Sequence, residues 1–440
     1  MDLLSKAYSD DGDDDDDEQP SNHRPQNPIN LSQPPPPKRL KLPNYPPTPY
    51  PKPDPTPQLR IPQTGAPIPG RYISKREKLL MASASGISDP NPPPSIPPPP
   101  SVGSISKENL RHDIQLYLRK QANVVGDKKK FPSRVSIDLH GHLKPVNAVQ
   151  WSTNHAHLLA SAGMDKTVYI WNVWSERQKK VREFTYHNGA VKDVRWSPHR
   201  NSILSCGYDC SSRLVDIEKG TESQVFSENQ AVTAIKFHPR NPNLFLSGGS
   251  KGFLKLWDIR TGKTVHEYVR QLGPILDVEF MVDGKQFISS SDVSKTNLSE
   301  NSLIVWDVSR EVPLSNQLYV EAYTCPVVRC HPFEPSFVAQ SNGNYIAIFS
   351  TKHPFKLDKY KRYESHDVSG FPIKCDFSAN GEVLASGSSD GCIYFYNVKS
   401  ANLIKKIIVY DQPCIDVVFH PLMPNVVACG SWSGNVSVIE

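Results

Sequence analysis

Leu158-Leu159-Ala160-Ser161-Ala162-Gly163-Met164-Asp165-Lys166-Thr167-Val168-Tyr169-Ile170-Trp171-Asn172 decides the fold. It reads as an apolar strand (158–162), a tight turn at Met164-Asp165-Lys166, and a second apolar strand (168–173). Residues 146–152 supply a strand before them. The same succession closes at Trp171-Asn172, Val215-Asp216, Trp257-Asp258, Trp306-Asp307, Phe349-Ser350, Tyr396-Asn397 and Ile439-Glu440, with spacings of 44, 42, 49, 43, 47 and 43 residues. Later units open on strand-like runs at 190–197, 232–238, 275–280, 327–331, 373–378 and 414–420. A period in the low forties made of short strands marks a four-stranded antiparallel blade repeated around a ring.

Ring closure is also readable. The seventh copy stops on its third strand, and an additional strand-like segment, Arg134-Val135-Ser136-Ile137-Asp138-Leu139, precedes the first copy. That segment is expected to complete the last blade and remove an exposed sheet edge. The expected architecture is an all-β, seven-bladed β-propeller over residues 134–440, preceded by a long disordered N-terminal arm over residues 1–133.

Composition separates the two parts. Of 41 prolines, 27 precede Ser133, whereas all eight cysteines and all seven tryptophans follow it. A chain so poor in apolar residues cannot offset the entropy of ordering. Residues 10–18 carry eight acidic side chains; setting them aside turns the net charge of +5 into +13 for the remainder. Such a remainder suits an acidic partner such as RNA, or is simply a lysine-rich solvated surface. Within the arm, Lys38, Arg39 and Lys41 form a short basic cluster among prolines, the pattern of a nuclear import signal. Short helices are expected at 71–84 and 107–121. The cysteines lack disulfide or CxxC spacing and read as buried thiols of a reducing compartment. No apolar leader follows Met1, and no uncharged apolar run reaches eighteen residues, so a nuclear or cytoplasmic protein away from membranes is expected.

Three blades carry Ser, His and Asp together: His142, Ser161, Asp165 with Trp171; His187, Ser205 and Asp209; His366, Ser386, Asp390 with Tyr396. A hydrolytic triad is needed once, whereas this set recurs. It reads as a structural network that satisfies buried polar groups. Lys251, Asn342 and Ser433 stand where a turn Asp is expected, so blades three, five and seven should lean more on apolar packing. A polar insertion at 293–301 belongs to blade four and offers a candidate contact loop. Cys325, Cys330 and His331 have no second ligand pair at metal-binding spacing. Phosphate-binding loops and HExxH are absent from the sequence. No enzyme, cofactor, metal or small-molecule substrate is expected; the expected partners are other proteins, with RNA contact left open.

Residues 134–440 resemble the WD-repeat family, which makes the ring a WD40 β-propeller. Gly141-His142-Leu143-Lys144-Pro145-Val146, residues 157–165, and 257–268 are similar to the pre-mRNA-processing factor 17 group, with its WD repeat-containing protein 25 branch the nearer. The resemblance implies a nuclear scaffold associated with pre-mRNA splicing complexes. A second reading rests on Trp257-Asp258-Ile259-Arg260: the WDxR box made by Trp257, Asp258 and Arg260 is the one substrate receptors of cullin-type ubiquitin ligases present to their adaptor.

Overall fold

A computed structural model describes residues 104–107, 110, 112–120, 131–270, 272–292, 302–315 and 323–440. It contains seven four-stranded antiparallel sheets. Blade one is built from Val146–Trp151, Leu158–Gly163, Val168–Asn172 and Lys180–Phe184, each strand hydrogen-bonded to the next. Blades two to six repeat that order within residues 191–227, 232–268, 275–315, 327–363 and 375–408. Blade seven has three strands between residues 414 and 439, and Val135–Leu139 pairs antiparallel with Val436–Ile439 as its outer strand. The closing strand expected at 134–139 is therefore where the sequence placed it.

Alternation explains the blades. Middle strands such as Leu158–Gly163 and Ser202–Gly207 are buried along their whole length, since both faces pack on neighbouring blades. Outer strands such as Thr221–Ser227 alternate between solvent and interior. Apolar clusters fill the space between consecutive blades; one joins Val149, Trp151, Leu159 and Trp171 of blade one to Ala428, Val436 and Val438 of blade seven. Burial of this kind contributes about 25 cal/mol per Å² of apolar surface and carries the stability of blades whose polar networks are incomplete.

Innermost strands carry a shared irregularity. In blades one, two, three, four and seven the register slips between the first and third residues, as at Val146/Ala148 and Val191/Asp193. Such a bulge re-aims the intervening side chain, and Asn147, Lys192, Thr233 and Leu276 consequently line one cleft at the channel mouth.

Part of the stretch read as arm is ordered against the ring. His112–Lys120 is a helix, inside the window expected at 107–121. Leu110 and Ile114 are buried with Trp151, Trp174, Met423 and Val426. Ile105 O accepts His157 Nε2 at 2.9 Å, and Asn172 Nδ2 donates to Ser104 O at 3.1 Å. The import cluster Lys38, Arg39 and Lys41, the helix expected at 71–84, and the insertion at 293–301 lie outside the described residues. All eight cysteines are free; six are buried, whereas Cys210 and Cys330 are half-buried.

Candidate interaction surfaces

Blade one brings its four predicted residues together. Trp171 Nε1 donates to Ser161 Oγ at 2.8 Å, Ser161 Oγ lies 2.8 Å from His142 Nε2, and His142 Nδ1 lies 3.0 Å from Asp165. Because the Asp165 carboxylate can only accept, His142 Nδ1–H donates to it, and in the neutral imidazole Nε2 then accepts from the Ser161 hydroxyl, whose oxygen also receives the Trp171 indole N–H. Leu143 N–H and the Thr167 hydroxyl also donate to Asp165, at 2.9 and 2.6 Å. Burial pushes the Asp165 carboxyl up, but the bonds from His142 and Thr167 outweigh it and hold the group at about 2. The Asp–His–Ser order has the spacing of a hydrolytic triad, yet the Ser161 hydroxyl is 0% exposed. Its job is to tie the turn to the strand.

Blade two repeats the arrangement. His187 Nδ1 lies 3.0 Å from Asp209 and Nε2 lies 2.8 Å from Ser205, with Val215 supplying no indole. Arg213 adds a contact to Asp209 at 3.3 Å and another to Glu222 at 2.7 Å.

Blade six contains the expected residues but wires them differently. His366 Nδ1 meets the Tyr396 hydroxyl at 2.9 Å, and its Nε2 meets the Gln340 amide of blade five at 2.6 Å. Ser386 Oγ reaches Gln340 Oε1 at 3.4 Å instead of the imidazole. Asp390 turns outward, accepting from the Tyr394 hydroxyl and Lys406 Nζ, each at 2.8 Å. Tyr396 is the physical reason: a phenol reaches where an indole N–H cannot, claims Nδ1, and leaves the turn carboxylate to other donors.

Two participants escaped the sequence reading. Glu228 stands four residues before Val232, the spacing of His142 to Val146, and accepts from Ser247 Oγ at 2.6 Å while Trp257 Nε1 donates to that oxygen at 3.0 Å. Gln230 fills the turn that lacks an Asp: Lys251 N–H donates to its Oε1 at 3.2 Å. Blade three thus has its own acidic variant of the network.

The channel itself was not foreseen. Carboxylates on innermost strands accept backbone N–H groups from the following blade: Asp277 from Val328 at 3.1 Å, Asp376 from Phe419 at 2.9 Å, Asp416 from Val149 at 2.9 Å. Four cations pair with these and neighbouring carboxylates: Arg195 with Asp193 at 3.1 Å, Lys236 with Glu279 at 2.6 Å, Arg329 with Asp277 at 2.5 Å, and Lys374 with Asp416 at 3.3 Å. Lys374 also comes within 4.0 Å of Asp193, reaching from blade six to blade two. Charges so placed bind blades that are remote in sequence, and removing one partner leaves the other buried and uncompensated.

On the WDxR box, Trp257 and Asp258 are buried. The Arg260 side chain is 64% exposed and its Nη2 lies 2.8 Å from Asp258 Oδ2. Its backbone N–H also donates to Asp258 at 2.8 Å, so the carboxylate holds the arginine in one presentation. Among the described residues no helix is long and apolar enough to cross a membrane, and no group of three or more His, Cys, Asp or Glu is placed to hold a metal ion.

Comparison with known proteins agrees with this division of blades. The family described as WD domain, G-beta repeat, matches residues 133–172, 178–216, 220–258 and 358–397. These stretches end at the closing dipeptides of blades one, two, three and six, the four that keep a histidine or glutamate network. Mouse WD repeat-containing protein 25 is 37% identical over 377 residues, covering 83% of this chain and 69% of that protein. Human pre-mRNA-processing factor 17 is 32% identical over 333 residues, covering 75% of this chain and 56% of that protein. The yeast protein of the same name is 26% identical, with 75% and 71% covered. With seven blades closed by an N-terminal strand and a relative of this identity spanning most of both chains, the protein belongs to the WD-repeat family, in the group that holds WD repeat-containing protein 25 and pre-mRNA-processing factor 17.

Proposed function

We propose that this protein is a nuclear, non-enzymatic scaffold that joins protein components of pre-mRNA splicing complexes. The observation that carries the reading is likeness to pre-mRNA-processing factor 17 across 333 residues in both human and yeast. The polar networks are engaged in holding blades, which leaves the faces and loops of the ring to meet partners. In this reading the chain before residue 104 acts as an arm, Lys38, Arg39 and Lys41 direct import, and the basic remainder contacts RNA within the assembly. The test is affinity purification of the full chain from nuclear extract, with and without ribonuclease. Recovery of spliceosomal proteins and small nuclear RNAs supports it; their absence from an exhaustive screen overturns it. Alanine at all three import residues should shift the protein to the cytoplasm.

A second reading, substrate receptor of a cullin-type ubiquitin ligase, is favoured by the exposed and pre-positioned Arg260. Arg260→Ala should abolish adaptor binding while leaving the ring folded; retained binding removes this reading.

A further inference from the structure

The paired channel charges leave one cation over. Arg195, Lys236, Arg329 and Lys374 each face a carboxylate. Lys192, turned to the channel mouth by the bulge between Val191 and Asp193, is the one channel cation among the described residues for which no carboxylate stands within ion-pair distance. Burial and the nearby Lys374 push its ammonium down to about 8. Beside it, across the seam between blades one and two, Asn147 Nδ2 donates to Val191 O at 2.6 Å. That bond fixes the amide with Oδ1 fully buried and without a hydrogen-bond partner. An unpaired cation and an orphaned acceptor therefore share one cleft, whose other walls include Thr233, Leu276 and the paired Asp193, Asp277 and Lys374.

Each feature alone costs free energy, since buried polar groups are ordinarily satisfied. Together they define a ligand that carries both an anion and a hydrogen-bond donor. A peptide segment with an acidic side chain has both. A polyphosphate chain fits less well, because its deprotonated groups bring no donor for Asn147 Oδ1, and the two carboxylates that also line the cleft, Asp193 and Asp277, are each paired with an arginine.

We infer that the channel mouth beside Lys192 receives an acidic side chain from a protein partner, with the carboxylate on Lys192 and an N–H of the same segment donating to Asn147 Oδ1. The site is independent of which complex recruits the ring, so it survives failure of the splicing reading.

The test uses the full chain, a hexaglutamate peptide as probe, and acylation of lysines by an N-hydroxysuccinimide ester read by peptide mass spectrometry. Saturating peptide should slow acylation of Lys192 at least tenfold and leave the exposed Lys359 unchanged. Lys192→Met should weaken peptide binding at least tenfold without lowering the melting temperature, because no ion pair is lost. Lys192→Arg should retain binding, which guards against a misfolded Met variant. The inference is overturned if peptide leaves Lys192 unprotected, if the Met variant binds equally well, or if Lys192 resists acylation in the free protein. Protection by inorganic phosphate or oligouridylate but not by hexaglutamate overturns it as well.

Discussion

Asp416 Oδ2 accepts the backbone N–H of Val149 at 2.9 Å, a bond from blade seven to blade one between residues 267 positions apart. The same carboxylate holds Lys374 Nζ at 3.3 Å. Val149 is buried beside the seam at which the ring closes, and Lys374 is half-buried. Asp416→Ala should leave a buried N–H unsatisfied and the half-buried Lys374 ammonium without its nearest carboxylate, costing about 2–4 kcal/mol. Asp416→Asn keeps an acceptor for Val149 and should cost less. Urea unfolding of the two variants checks the order; an equal cost would mean that the N–H bond contributes nothing.

Closure depends equally on Val135–Leu139. Its register runs from Val135 against Ile439 to Leu139 against Val436, and Ser133 and Arg134 N–H both donate to Glu440 O. Deleting residues 133–139 exposes the edge of Val436–Ile439 and the apolar surface that Leu139 covers. The deletion should abolish cooperative unfolding and promote association. Gel filtration and thermal melts by circular dichroism read both effects, and an intact cooperative monomer would refute the dependence.

The equivalent turn carboxylates of blades one and six should differ in worth. Asp165 is bonded to His142, Thr167 and Leu143 N–H within a buried network. Asp390 serves Tyr394 and an exposed Lys406, and surface ion pairs contribute about 0–1 kcal/mol. Asp165→Ala should therefore cost about 2–3 kcal/mol through the unsatisfied His142 and Leu143 N–H groups, while Asp390→Ala should cost under about 1 kcal/mol. A cycle of Asp165→Ala with His142→Ala should show strong coupling, and one of Asp390→Ala with His366→Ala should show almost none.

These contrasts mark where sequence reading stopped. Blade boundaries were legible because strand alternation, turns and the closing dipeptide are local signals. The network of blade one was legible for the same reason, since His142, Ser161, Asp165 and Trp171 fall within one repeat. Gln340 was not, because it sits on the second strand of blade five and serves His366 of blade six. Glu228 could have been found: it keeps the four-residue spacing to the inner strand at which His142 and His187 stand. The channel pairs needed the ring itself, as Lys374 meets Asp416 from the next blade and Asp193 from across the channel. The helix His112–Lys120 lies inside the window expected at 107–121, but the arm-like composition hid its docking on the ring, which runs through Ile114 on the seam between blades seven and one.

Acid should weaken the ring through its buried histidines. Burial depresses His366 to about 4 and His420 to about 3, against an ordinary value near 6.5. The unfolded chain then binds more protons than the folded one below about pH 6.5, so stability falls as pH falls through that value toward the folded pKa. From pH 7 to pH 5 each should lose about 2 kcal/mol. Melting temperatures across this range, with His366→Gln as a variant that cannot charge, test the sign: the variant should show a shallower decline.

Asp376 should behave oppositely. Burial raises its carboxyl to about 6, with the Phe419 N–H pulling the other way. A folded pKa above the unfolded value means that the ionised form is disfavoured in the ring. The penalty is fully present above pH 6, shrinks as pH falls, and vanishes below the unfolded value near 3.8. Asp376→Asn keeps an oxygen for Phe419 N–H and removes the charge. It should raise stability at pH 8 by about 3 kcal/mol, with the gain fading below pH 5. Urea midpoints at pH 8 and pH 5 measure the difference. A loss at pH 8 would show instead that the ionised carboxylate strengthens the latch to Phe419 N–H by more than its burial costs.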